Sequence, residues 1–88
     1  MRILNGKKMD TREHAHRHIE RRLRFPEWYG GNLDALHDCL GQITKPTTIL
    51  VRNCRYLREN LGEYGVRMIV VLQETTKESP NIRLILHE

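Results

Sequence analysis

The sequence predicts an α/β fold in which a three-stranded parallel sheet is packed by about four helices. Three observations carry that prediction. Short apolar runs, partly β-branched, occur at Arg2–Asn5, Thr47–Asn53 and Asn81–His87. Each interval between them holds two stretches with apolar residues at helical spacing. Strands joined through helical crossovers lie parallel, with right-handed connections. At 88 residues the chain is expected to form one domain over 1–88, with a modest core.

The first strand, Arg2 to Asn5, places Ile3 and Leu4 side by side, as expected where both sheet faces are covered. Asn5-Gly6 signals a turn. A helix follows, capped by Asp10 or Thr11. Ala15, Ile19 and Leu23 give it one narrow buried face. Arg12, Arg17, Arg21, Arg22 and Arg24 cover much of the rest. Pro26 stops the helix, because the residue before a proline is pushed out of helical geometry.

Residues 26–40 are the most informative stretch. A loop from Pro26 to Gly31 sets Trp28 and Tyr29 against Gly30 and Gly31. Asn32 then suits an N-cap, since its side-chain oxygen can accept from the free amides of a first turn. Leu33, Leu36, Leu40 and Ile43 mark one apolar stripe. Asp34 and Asp38 lie one turn apart on the other side, with His37 between them. Two carboxylates at this spacing repel by a few tenths of a kcal/mol. The helix dipole offsets part of this for Asp34, in the first turn. No stabilising role for Asp38 is evident.

Gly41 and Gln42 end that helix, and Lys45-Pro46 forms a turn. Thr47–Asn53 is read as a central strand covered on both faces. Cys54–Leu61 is a short helix with Leu57 and Leu61 one turn apart. Gly62 punctuates. A longer helix runs from Glu63 or Tyr64 to Glu78, its spacing set by Val66, Ile69, Val70 and Gln73. Pro80 breaks it before the last strand, which carries Ile82, Leu84, Ile85 and Leu86.

Charge is unevenly spread. The formal net charge is +4. Residues 1–24 hold eight Lys/Arg against three Asp/Glu, residues 25–44 none against three, and residues 45–88 seven against five. The chain is therefore basic with one acidic island, and the island coincides with the aromatic loop and its helix. At physiological salt, fields decay over about 8 Å, so a partner docking there feels mostly the island.

Several function classes are disfavoured. No apolar run approaches the roughly 20 residues of a membrane span. Met1 leads straight into a charged segment without a secretory pattern, and two cysteines, Cys39 and Cys54, make no disulfide or zinc framework. Reduced thiols and a cytoplasmic location are expected. His14 and His18 are four apart and could share a metal, but a metal site is not the preferred reading. Exposed histidines are expected, with no metal and no cofactor. Asp34, His37 and Asp38 lack a nucleophile, phosphate loop or complete ligand set, so an enzyme is not expected. The arginine-rich first helix suggests a nucleic-acid-binding module as the alternative. With no aromatic interleaved for base stacking, solvated surface is the preferred reading, and direct nucleic-acid binding is not expected.

The pattern from Pro26 to Leu40 resembles the barstar family, intracellular inhibitors of a secreted bacterial ribonuclease. The similarity extends in order over the whole chain. It takes in the Ile3-Leu4-Asn5-Gly6 opening, the Ala15/Ile19/Leu23 helix, the central strand and the closing Ile-x-Leu-Ile-Leu run. The resemblance implies an inhibitor or immunity protein (an antitoxin) for a ribonuclease-type toxin, monomeric when free. Its acidic helix and preceding loop would plug the nuclease active site in place of substrate phosphates. By motif position, Asp38 would sit among the partner's cations and Asp34 would pair with a flanking arginine. Trp28 and Tyr29 would cover the cleft, and Gly30 and Asn32 would give close backbone contact and loop shape. His37, where the family pattern has a large aromatic, Gly41 at the helix end and Glu74 on the later helix complete the implied contact set. This chain is basic where the family prototype is acidic, so attraction would rest on the local island.

Overall fold

The computed structural model describes residues 1–88. Strand β1 (Arg2–Asn5) runs through a 3-10 turn at Gly6–Lys8 into α1 (Arg12–Leu23). Then come α2 (Leu33–Gly41), β2 (Thr47–Arg52), α3 (Cys54–Leu61), α4 (Glu63–Glu78) and β3 (Ile82–Leu86). The three strands form one parallel sheet in the order β1-β2-β3. The predicted fold class is the one observed. Two helices fill each crossover, because parallel neighbours cannot be joined by a tight turn.

Alternation along the strands decides which face is buried. Leu4, Ile49, Val51 and Ile82 enter a core of 17 buried residues, with Leu36 and Leu40 from α2 and Leu57, Met68 and Leu72 from α3 and α4. The opposite face differs from expectation. Ile3, Leu50 and Ile85 are paired in one row across the sheet, yet each is only half-buried and none packs on the core. The strands are therefore not covered on both sides. Lateral aliphatic pairing between neighbouring strands accounts for a near-continuous apolar sequence without a second helical layer.

Of the two cap candidates at the start of α1 the structure uses Thr11, and the helix ends at Leu23, short of the residue before Pro26. Thr11 accepts from the His14 amide through Oγ1 at 3.0 Å. At the other end the chain turns through Arg24 in a left-handed conformation, φ 57°, and the amides of Arg24 and Phe25 both reach the Glu20 carbonyl. Glycine is the usual occupant of such a position, since it alone avoids the steric penalty of a Cβ there. Ala15, Ile19 and Leu23 are buried.

The three histidines of α1 do not behave alike, and the expectation of three exposed histidines fails. His14 is exposed and lies 2.6 Å from the Asp10 carboxylate, which holds that carboxyl below its ordinary pKa. His18 accepts the Asn5 amide at 3.0 Å and so closes the free edge of β1 with α1. His16 is only 4% exposed. The odd histidine in the series faces the core side of the helix, next to Ala15 and Ile19.

Helix α4 also buries a different face from the one its sequence suggested. Gly65, Met68, Ile69, Leu72, Thr75 and Thr76 point inward, whereas Val66 and Val70 stand exposed. Residues 68–72 are all apolar, so periodicity alone could not fix the buried side. Contact with α3 fixes it. A Cβ at Gly65 would meet the Leu57 carbonyl oxygen at 2.1 Å, so a glycine backbone is needed where the two helices touch.

Candidate functional site

The loop 26–31 divides its two aromatics between two roles. The Tyr29 amide bonds to the Pro26 carbonyl at 2.9 Å, closing a tight turn. Tyr29 is 8% exposed, with its ring 5.1 Å from that of Phe25 and its hydroxyl 2.7 Å from His16 Nδ1. Burial pushes its phenol well above the ordinary tyrosine range. Tyr29 is thus a core residue that moors the loop, with little surface left for the cleft-covering role that the resemblance implies. Trp28 points the other way and is 66% exposed. A large indole left in water is costly in apolar exposure and has no packing role here.

Gly30 and Gly31 carry the chain from the moored loop into α2. Gly31 has φ 66°, which favours glycine. A Cβ at Gly30 would come into ordinary contact with Ala35 and Asn32, both at 3.4 Å. Asn32 then caps α2, its Oδ1 accepting the Ala35 amide at 2.7 Å. Its side chain therefore has an internal task.

Helix α2 buries Leu36, Cys39 and Leu40, with Leu33 and Ile43 half-buried. The Cys39 thiol is pushed up, first by burial and then by the charge of Asp38. Cys54 is likewise buried, and both cysteines are free. On the outer side Asp34, His37 and Asp38 are exposed. Neither aspartate forms an ion pair; the two pairs in the molecule are His14–Asp10 and Arg58–Glu88. Gly41, at the end of α2, is exposed, and a Cβ there would meet nothing within 4 Å. Packing does not explain that glycine.

His37 is tied across to α4. Its Nδ1 lies 2.9 Å from the Thr75 hydroxyl, and Thr75 is 5% exposed. Glu74 is exposed on the same helix. Of these neighbours on α4, Glu74 is open to solvent and Thr75 is a buried brace. Between α2 and α4 runs a groove of about 360 Å³, lined among others by Asp34, His37, Arg67, Val70, Glu74 and Glu78. Arg67, Val70 and Glu78 are residues that sequence reasoning did not select. No signal in the sequence marks that face, because residues 68–72 are all apolar and their spacing does not say which side of α4 stays open.

The groove thus brings together Asp34 and His37 of α2 and Glu74 of α4, while Asp38 stands exposed on α2 outside it and Trp28 lies on the loop leading into the same helix. No group of three or more acidic, histidine or cysteine side chains could hold a metal ion. No helix is long and apolar enough to cross a membrane.

A family model described as Barstar (barnase inhibitor) matches residues 1–86. The chain belongs to the barstar family. A protein of Bacillus subtilis (strain 168) named "Putative ribonuclease inhibitor YrdF" is 36% identical over 77 residues. That match covers 86% of this chain and 85% of the relative. In barstar-family terms, the stretch from Pro26 to Leu40 that carries the resemblance is the same stretch that leaves Trp28, Asp34 and Asp38 exposed.

Proposed function

We propose that this chain inhibits a ribonuclease by plugging its active site with α2 and the Trp28 loop. Family membership and the inhibitor-named relative support the inhibitor role. The plugging mechanism rests chiefly on one observation. Asp34 and Asp38 are exposed and unpaired on a helix held by an N-cap, a buried stripe and the His37–Thr75 bond. A ribonuclease must gather cations around a scissile phosphate. Carboxylates on a rigid helix can occupy that cation cluster without being cleaved. A carboxylate about 4 Å from one cation gains on the order of 4 kcal/mol at an effective dielectric of ~20, before desolvation is subtracted.

In this reading Asp38 sits among the catalytic cations and Asp34 pairs with a flanking arginine. Trp28 covers the cleft as the apolar anchor, a role for which tryptophan is favoured at interfaces. Gly30 and Gly41 permit close approach, and Asn32 shapes the loop through its cap. His37 and Glu74 extend the contact onto α4. Tyr29 contributes by mooring the loop. The protein acts as a non-enzymatic immunity factor in the cytoplasm, as a single barstar-like domain that is monomeric when free.

The test is inhibition of RNA cleavage by barnase and by any nuclease encoded beside this gene, using the wild-type protein and Asp38→Ala. Inhibition of one of these by the wild type, with a large loss for the variant, is the expected result. No inhibition of either nuclease, or equal inhibition by both proteins, overturns the reading.

A further inference from the structure

The side of the molecule built from α1 carries a second, oppositely charged surface. Arg2 from β1 and Lys8 from the 3-10 turn come alongside Arg21, Arg22 and Arg24 of α1 around a concavity of about 490 Å³. No carboxylate and no hydrophobic residue lines it. Two smaller hollows adjoin it and share Arg21 with it, and both add Arg17. Six cations thus border one continuous tract, with Glu20 as the one acid on its rim. None of the six is in an ion pair. Phe25 closes one end, half-buried.

Like charges so close repel, and Glu20 is the one acid lining the tract to offset them. His18 lies within the tract, and burial together with Arg22, Arg21 and Lys8 lowers its pKa, so it adds no further charge at neutral pH. Arg24 belongs to the tract although its left-handed backbone favours glycine. The sequence reading of this cluster as solvated surface rested on α1 alone. The structure adds Arg2 and Lys8 from outside the helix, and a concave shape.

We infer that this tract binds the phosphate backbone of a single-stranded nucleic acid. Guanidinium groups match phosphate oxygens in paired hydrogen bonds. A cationic groove with an aromatic at its margin is the general form of a strand-tracking surface. Apart from the half-buried Phe25 the tract has no apolar lining, which argues against a bilayer, since an anchoring surface would enter it with several hydrophobic side chains. With one half-buried aromatic and no built base contact, binding is indifferent to sequence. This inference does not rest on the inhibitor reading, since the tract shares no residue with the acidic site.

The test is fluorescence anisotropy with a labelled 20-nucleotide single-stranded RNA and the same sequence as DNA, from low to physiological salt. Both should bind, with log K falling linearly against log[salt] at a slope of about −2 to −3.5, for three to five phosphates neutralised. The triple variant Arg21→Gln/Arg22→Gln/Arg24→Gln should lose at least tenfold in affinity at 100 mM salt, with the slope shallower by about 2. Arg55→Gln/Arg83→Gln, which removes two exposed cations elsewhere, should bind as wild type, and so should Asp38→Ala. These side chains are exposed, so an unchanged melting temperature will show that the variants fold. Equal loss from the Arg55/Arg83 variant, an unchanged triple variant, no binding to either strand, or tighter binding to phosphatidylglycerol vesicles than to RNA would each overturn the inference.

Discussion

The ring of His16 bonds at 2.7 Å to the Tyr29 hydroxyl, so the first helix holds the loop that presents Trp28 from inside the core. The second ring nitrogen of His16 lies 2.7 Å from the Tyr64 hydroxyl on α4. One buried imidazole therefore ties together α1, the loop and α4. Arg12 lies over the Tyr64 ring, its guanidinium carbon 4.1 Å from the ring centroid.

This arrangement makes stability sensitive to acid. Burial lowers the pKa of His16, and burial with neighbouring cations lowers that of His18. The folded protein thus keeps both imidazoles neutral at pH values where an unfolded chain, with ordinary histidine pKa values of about 6.5, takes up protons. Stability conferred by these groups is complete above that pH and is lost as pH falls through it toward the lower folded values. Each histidine adds at most about 1.4 kcal/mol per pH unit to the slope. Urea unfolding at a series of pH values should show stability declining below about pH 6.5. His16→Gln should flatten that decline by up to one proton's worth. A flat profile between pH 5 and 7 in the wild type would contradict the burial argument.

Trp28 and Tyr29 should separate binding from stability, although they are adjacent. Tyr29→Ala removes a buried aromatic and should cost about 3–5 kcal/mol. Tyr29→Phe keeps the ring but strips His16 of a partner, and should cost about 1–3 kcal/mol. Trp28→Ala should change stability by less than about 0.5 kcal/mol, as surface substitutions do. In the proposed mechanism it should nonetheless weaken ribonuclease inhibition at least tenfold. Thermal melts beside inhibition titrations distinguish the two effects.

The carboxylates of α2 should follow the same division. Neither Asp34 nor Asp38 has an internal partner, so Asp38→Ala should leave the fold as stable as before, or slightly more so through relief of repulsion. If Asp38 is buried against cations in the complex, its truncation should cost about 3–5 kcal/mol of binding, roughly a hundred- to several-thousandfold. Asp34→Ala, nearer the rim, should cost less and lose its effect as salt rises. Inhibition constants at two ionic strengths, with circular dichroism melts, check both statements.

Much of this was legible in the chain itself, and the exceptions share a cause. Strands, caps and punctuation are local, so Asn32 and Gly62 could be placed from near neighbours, and the cap of α1 narrowed to Asp10 or Thr11. So could the open faces of Asp34 and Asp38, because one apolar stripe fixes the opposite side of a helix. What failed depended on distant contacts. His16 is buried because Tyr29 and Tyr64 converge on it from 13 and 48 residues away. Val66 and Val70 are exposed because α3 claims another side of α4. The row of Ile3, Leu50 and Ile85 is open because both crossovers pack on the same face. The basic tract needed Arg2 and Lys8 to be brought beside α1, which no helical period could announce.

Gly65 offers the sharpest stability test, because nothing in its sequence surroundings marks it. It sits in the first turns of α4, where alanine would normally be preferred by about 1 kcal/mol. Here an added Cβ would lie 2.1 Å from the Leu57 carbonyl oxygen and 2.6 Å from its carbon. Both are backbone atoms within α3, so no side chain can rotate aside, and the helices must part instead. Gly65→Ala should therefore destabilise by about 1–3 kcal/mol or more, reversing the sign that helix propensity predicts. Gly41→Ala, at an open position on α2, provides the matched control and should be neutral or stabilising. If denaturant midpoints show Gly65→Ala unchanged or raised, α3 and α4 do not approach this closely at Gly65.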